Sequence, residues 1–250
     1  MSSTDTNSSS RNIIYKVYGI ANKVQAITAI GFSTFAVIHG LQIAAGAVGG
    51  VEAADQALLL ARPIYQDAHL EGYMVTGSVA AHLLAGLTKS SLDYCYLNNN
   101  KKNNKATGYY HGITGQLLIP LSVGHYILTR RMPIQTMGDS AFVDFGIVGW
   151  GLQNKPWVTW TWHVALIGVG VYHMVGGAPL AFRRTFGGKT TSKKEQLDDK
   201  KGSMVKFIPL VIGISTVLVA GLVATSRLDK IPLRREYQAI YNRLLPGWII

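Results

Sequence analysis

Apolar residues are clumped in this chain: five mainly hydrophobic stretches, roughly 26–48, 72–89, 109–129, 157–182 and 207–225, alternate with polar or charged connections. Each approaches the ~20 residues that a helix rising ~1.5 Å per residue needs to cross a hydrocarbon core of ~30 Å. The pattern predicts an all-α membrane protein, a five-transmembrane-helix bundle within residues 25–226, with interfacial helices beside the spans. Residues 1–24 read as a disordered polar N-terminal tail and 227–250 as an amphipathic C-terminal tail.

The connections carry their own signals. The opening MSSTDTNSSSRN is too polar to fold alone. Arg11, Lys16 and Lys23 loosely resemble a mitochondrial presequence, with too few arginines for cleavage to be the expectation. After the first span, Ala57, Leu58 and Ala61 share a helical face that Pro63 should end, an interfacial helix. His69 and Glu71 read as a wet boundary before the second span. The tract KSSLDYCYLNNNKKNNKATG predicts an exposed loop. Residues 132–156 are too polar and glycine-broken to span, yet Phe142, Val143, Phe145, Ile147, Val148 and Trp150 suit a lid lying on the bundle. Trp157, Trp160 and Trp162 open the fourth span as an aromatic belt. Residues 183–206 read as a charged loop, and the fifth span, without an ionisable residue, as a lipid-facing helix. Leu233, Tyr237, Tyr241 and Leu244 recur at helical spacing with Arg234, Arg235 and Arg243 on other faces, predicting a helix on the membrane surface anchored by Trp248.

Charge changes the picture little. The net charge of +11 sits between spans and at their ends, where lysine and arginine act as topology and headgroup signals, so no nucleic-acid partner is expected and membrane lipids are. Fifteen lysines and arginines fall on the N-terminal side of a five-span topology against nine on the other, which puts the N-terminus toward the cytosol or matrix. The single cysteine, Cys95, excludes an intrachain disulfide.

Histidine supplies the candidate chemistry. His39, His82, His125 and His173 lie inside four successive spans, and ionisable residues inside a membrane are costly enough to mark functional positions. Helices one and three run away from the N-terminal side and two and four return. At ~1.5 Å per residue His39 and His125 therefore share one depth, ~20–24 Å from that side, and His82 and His173 another, ~10–14 Å. Two imidazoles at one depth on different helices can serve as axial ligands of b-type haem, and two such levels allow two haems. Gly31, Gly40, Gly77, Gly86, Gly115, Gly124, Gly168, Gly170 and Gly176 would thin the groove. Arg62, Arg130 and Arg131 at one end, or Lys89, Arg183 and Arg184 at the other, could meet propionates, against the simpler reading that they snorkel. For His111 and His163 an interhelical hydrogen bond is the better account. No HExxH, GxSxG, GxGxxG or Walker loop is present, and an enzyme is not the expectation.

In architecture the four-histidine ladder resembles the dihaem cytochrome b anchor subunits of succinate dehydrogenase and fumarate reductase. In the order FAVIHGLQ, VEAADQALLLAR, VAAHLLAGL, GYYHGITGQLLIPLSVGHYILTRRMPI and YHMVGGAPLAFRR, the chain is more similar to the transmembrane domain of the fungal mitochondrial adaptor family known as the MDM-complementing protein. That resemblance implies a multi-span mitochondrial membrane protein, of the outer membrane rather than the inner. It also implies a role in lipid homeostasis and the recruitment of a Vps-class bridge-like lipid-transfer protein at organelle contact sites. The family's recruiting Pro-x-Pro element has no counterpart here, since no proline precedes Pro63. A haem-bearing electron carrier is the alternative function.

Overall fold

The apolar runs become helices in a computed structural model that describes residues 3–67, 69–97, 106–187 and 193–245. In chain order these are α1 (Ser3–Tyr65), α2 (Ser78–Leu92), α3 (Ala106–Tyr126), α4 (Met132–Met137), α5 (Gly146–Asn154), α6 (Pro156–Phe186), α7 (Lys193–Ser226) and α8 (Arg234–Leu244). Wider π-helical turns, Glu71–Gly77, Asp93–Leu97 and Ile127–Arg131, extend α2 at both ends and join α3 to α4. There is no strand among the described residues.

Among the described residues, three helices are long and apolar enough to cross a membrane: Arg11–Tyr65, Pro156–Phe186 and Phe207–Ser226. They contain the first, fourth and fifth apolar runs. The second and third runs are helical as well, in α2 and α3 with their π-helical extensions.

Helix α1 differs from expectation at both ends. It already includes residues 3–24, the stretch expected to be a disordered tail. Among 11–24 no proline interrupts the chain, and Ala21 is buried. The helix also runs past Pro63 to Tyr65, a proline near the helix end that removes a single hydrogen bond. Between these ends it kinks at Gly50, whose φ of 75° and ψ of −174° suit glycine alone. The kink folds residues 51–65 back, so that Ala54, Leu58, Ala61 and Tyr65 form a buried stripe at i, i+4, i+7 and i+11.

Helix α1 packs against α2, α6 and α7, while α3 packs against α6. Backbones come close at Gly221 of α7, where a Cβ would stand 2.1 Å from the carbonyl oxygen of Ile43. The fifth span is exposed along Ile208, Leu210, Ile212 and Val217, as a lipid-facing helix would be, and docked at its far end, where Leu222 and Thr225 are buried. Its helix begins at Lys193, within the expected charged loop, in a stretch rich in lysine, glutamate and glutamine, which favour helix. Residues 98–105 of the asparagine and lysine tract, and the expected anchor Trp248, lie outside the described residues.

The main apolar core sits at one end of the bundle. Leu128, Val143, Ile147, Val148, Trp150, Leu152 and Leu222 pack with Tyr237, Ile240 and Tyr241 of α8. Residues 138–154 thus form the expected lid, with Phe142 left exposed. The apolar face of α8 is buried in this cap instead of lying on a membrane surface, because α5 offers it an apolar partner within the protein. Trp160 packs on the same core and the Trp162 indole donates to the Leu121 carbonyl at 3.1 Å, so only Trp157 of the expected belt faces outward, 87% exposed.

Candidate functional site

Six histidines converge inside the bundle in two groups. His39 of α1 and His125 of α3 have ring centroids 6.0 Å apart. His82 of α2 and His173 of α6 are 6.3 Å apart. These are the pairs that depth arithmetic put together. Each gains a third ring: His163 lies 5.5 Å from His125 at an 80° angle. His111 stacks on His173 at 4.0 Å with the planes 7° apart. Interhelical hydrogen bonding, the expected role of these two side chains, is not what places them: His163 Nδ1 bonds within α6 to the Thr159 carbonyl, and His111 Nδ1 has no partner among the described residues.

The second nitrogen of each ring shows how it is oriented. His39 Nδ1 faces Gln42 Oε1 at 3.2 Å, and buried Gln42 is held in turn by the Tyr65 hydroxyl at 2.9 Å. His82 Nδ1 donates to the Gln25 carbonyl at 3.1 Å, His173 Nδ1 to the His111 carbonyl at 3.2 Å and His163 Nδ1 to the Thr159 carbonyl at 2.8 Å. An oxygen that only accepts makes Nδ1 the protonated nitrogen and leaves Nε2 with its lone pair, the tautomer a metal-bound imidazole requires. His125 Nδ1, His111 Nδ1 and His163 Nε2 are buried without a partner. Gln25, Gln42 and Tyr65 were not singled out from sequence. Only Gln42 left a trace there, one helical turn after His39.

The room around the rings is made by glycine, and only part of it as expected. A Cβ at Gly115 would stand 3.0 Å from His173, one at Gly177 2.8 Å from His111, and one at Gly124 2.3 Å from the Trp162 ring. Gly31 meets Ser78, Gly40 meets Leu218, Gly86 meets Gln25 and Gly170 meets Leu118. A Cβ at Gly77 would meet only the Gly72 backbone, and one at Gly176 would lie between Phe207 and His111. Gly168 faces open space. Helix pairs α1 with α3 and α2 with α6, which carry the two histidine pairs, are not among the pairs that pack closely. Side chains therefore bridge them.

Among the six expected propionate partners, three are already committed, two to the lid and Lys89 to α1. Arg130 forms a two-pronged ion pair with Glu71 and also donates to the Ser140 hydroxyl. Arg62 donates to the carbonyls of Ala141 and Val143. Both arginines lock the lid, helped by Asp55, which accepts from the Phe145 amide at 3.0 Å. Lys89 donates to Gln25 Oε1 at 2.7 Å and lies over the Tyr18 ring, while Arg131, Arg183 and Arg184 are exposed. Glu71 is thus a lid latch and no mere wet boundary. A lone carboxylate at a span edge carries no signal of a partner 59 residues away.

Among the described residues, no three His, Cys, Asp or Glu side chains form a group able to hold a bare metal ion. Two imidazoles at these separations suit a planar cofactor that brings its own equatorial ligands.

Residues 120–228 match the family model described as MDM10-complementing protein 1, transmembrane domain. Over that segment, from the middle of α3 to just past the end of α7, the chain is similar to this family, as the order of its motifs implied. No curated protein and no solved structure matches the chain, so the likeness to cytochrome b anchors has no counterpart among the comparisons.

Proposed function

We propose that the protein is a mitochondrial multi-span membrane protein of lipid homeostasis whose five-helix bundle binds haem b, at two levels, between His39 and His125 and between His82 and His173. The observation that carries the haem reading is the ring separation, 6.0 and 6.3 Å. With metal–nitrogen bonds of about 2 Å on either side, an iron between two imidazoles sets their centroids roughly 6 Å apart. The tautomers support it, since His39, His82 and His173 each offer Nε2. Haem iron so held would supply one-electron chemistry or a purely structural crosslink. Gln42 and the carbonyls of Gln25 and His111 would keep the rings aimed. With Arg62 and Arg130 tied to the lid and Lys89 held by Gln25, Arg183 and Arg184 at the opposite end are the better propionate partners, and Arg131 remains at the lid end.

The mitochondrial membrane is suggested by the family name. Lipid homeostasis, the outer membrane, contact sites and recruitment of a bridge-like lipid-transfer protein follow from the family resemblance. A dihaem electron carrier is the second reading, favoured by the stacking of two histidine pairs in one bundle. Loss of the gene separates the two: disturbed mitochondrial lipid composition with intact respiration favours the first, early failure of electron flow the second.

Optical absorption tests the haem. Protein produced with ample haem should show a Soret band. His125→Ala should remove or shift one haem signal, and His111→Ala should leave both. Folded protein without a Soret band would reject haem binding.

A further inference from the structure

The kink at Gly50 turns residues 51–65 of α1 into an arm folded back on the helix, close enough that a Cβ on Gly46 would stand 3.3 Å from that of Ala54. The arm faces two ways. On one side it holds the lid: Asp55 accepts from the Phe145 amide at 3.0 Å, and Arg62 donates to the carbonyls of Ala141 and Val143. On the other it ends in Tyr65, 3% exposed, which packs with Phe35, Ile38, Val75 and the lid's Phe145. The Tyr65 hydroxyl reaches Gln42, itself only 2% exposed.

Gln42 has two unlike ends, and the end that faces His39 decides where that ring carries its proton. Oε1 stands 3.2 Å from His39 Nδ1 and accepts from it, so the proton is on Nδ1 and Nε2 keeps its lone pair. Turned about, the amide would present a donor to Nδ1. The ring proton would then sit on Nε2 and close that nitrogen to a metal. His82, His163 and His173 face no such choice, because their Nδ1 atoms meet backbone carbonyls.

Tyr65 makes the choice for His39. Its hydroxyl lies 3.0 Å from Gln42 Oε1 and 2.9 Å from Nε2, from which it accepts. Without that acceptor the present orientation would leave a buried N–H unpaired. The reversed one would bond Nε2 to His39 and leave only a carbonyl short of partners. An orphaned buried N–H is the rarer and costlier of the two.

We infer that Tyr65 is a positioning residue for His39: through Gln42 it fixes the tautomer that leaves His39 Nε2 open, and the arm that carries it ties this state to the closed lid. The bearing on haem ligation rests on the function proposed above; the tautomer does not.

Nuclear magnetic resonance of the detergent-solubilised full chain, with 15N-labelled histidine and purified without added haem, reads the tautomer of each ring. His39, assigned by the signals lost in His39→Ala, should carry its proton on Nδ1. Tyr65→Phe keeps the ring that packs edge-on against Phe35, 5.1 Å between centroids, and removes only the hydroxyl. The His39 proton should shift to Nε2 in that variant, while His82 and His173 stay unchanged and report an intact bundle. Gln42→Leu, which offers neither donor nor acceptor, should give an average of the two tautomers. Arg62→Gln, which loosens the lid from the arm, should move His39 in the same direction as Tyr65→Phe. A native His39 protonated on Nε2, or native His39 resonances in Tyr65→Phe or Arg62→Gln, overturns the inference. None of these readouts needs haem, so a missing Soret band would remove the ligation reading and leave this test standing.

Discussion

At the scale of residues, close approaches and buried charges do the specifying. Gly124 admits the Trp162 ring to the α3 backbone, where a methyl group would stand 2.3 Å from it. Gly124→Ala should therefore cost about 1–3 kcal/mol, the usual range for overpacking, seen as a lower Tm in detergent. Gly168→Ala, facing open space, should leave the Tm nearly unchanged. The latch behaves differently. Glu71 and Arg130 are 23% and 18% exposed, so their bonds are partly screened. Charged hydrogen bonds contribute about 1.5–3 kcal/mol, and Glu71→Gln should lose about 1–2 kcal/mol after that discount. Proteolysis within 138–145 should quicken in the same variant, since Arg130 also holds Ser140. Unchanged cleavage would mean that Arg62 alone keeps the lid.

Among the elements, α8 shows how one amphipathic pattern admits two partners. Its apolar side could meet lipid or protein, and here Tyr237 and Ile240 are fully buried against the cap. Burial, with the neighbouring Asp144 carboxylate, pushes the Tyr237 phenol well above its ordinary value of 10.0, and burial does the same to Tyr241 against a smaller lowering by the neighbouring Thr159 hydroxyl. Tyr237 donates to Asp144 Oδ1 at 2.8 Å. The folded values lie above the unfolded ones, so this stability is complete below about pH 10 and declines as pH rises from there toward the raised folded values. Each phenol should steepen the decline by about 1.4 kcal/mol per pH unit. Alkaline unfolding should thus begin near pH 10 and become shallower in Tyr237→Phe. A helix lying on the membrane would show no such dependence.

For the whole molecule, the arrangement is a bundle with its polar rings inside and its largest apolar core in a cap at one end. Membrane helices gain little by burying apolar surface against one another, whereas the cap is built as a soluble domain is. The five-span reading puts the cap and α8 on the side opposite the N-terminus. Tags at the N-terminus and at Asn99 should be accessible together, and a tag at the C-terminus from the other side. Both termini on one side would reject five spans.

Local arithmetic carried the sequence a long way. The lengths of the apolar runs determined the helical class and the membrane. Helical rise with alternating direction determined that His39 would meet His125 and His82 would meet His173, because depth within a straight span depends only on residue count. Tertiary structure decided what depends on rotation about the helix axes and on distant partners. That includes the third ring at each level, the oxygens that face Nδ1, and the tie of Arg62 and Arg130 to the lid in place of free propionate partners. It also decided the burial of α8. An amphipathic stripe reports that a face is apolar and leaves open which apolar surface meets it, and that is settled only where α5, α6 and α8 come together.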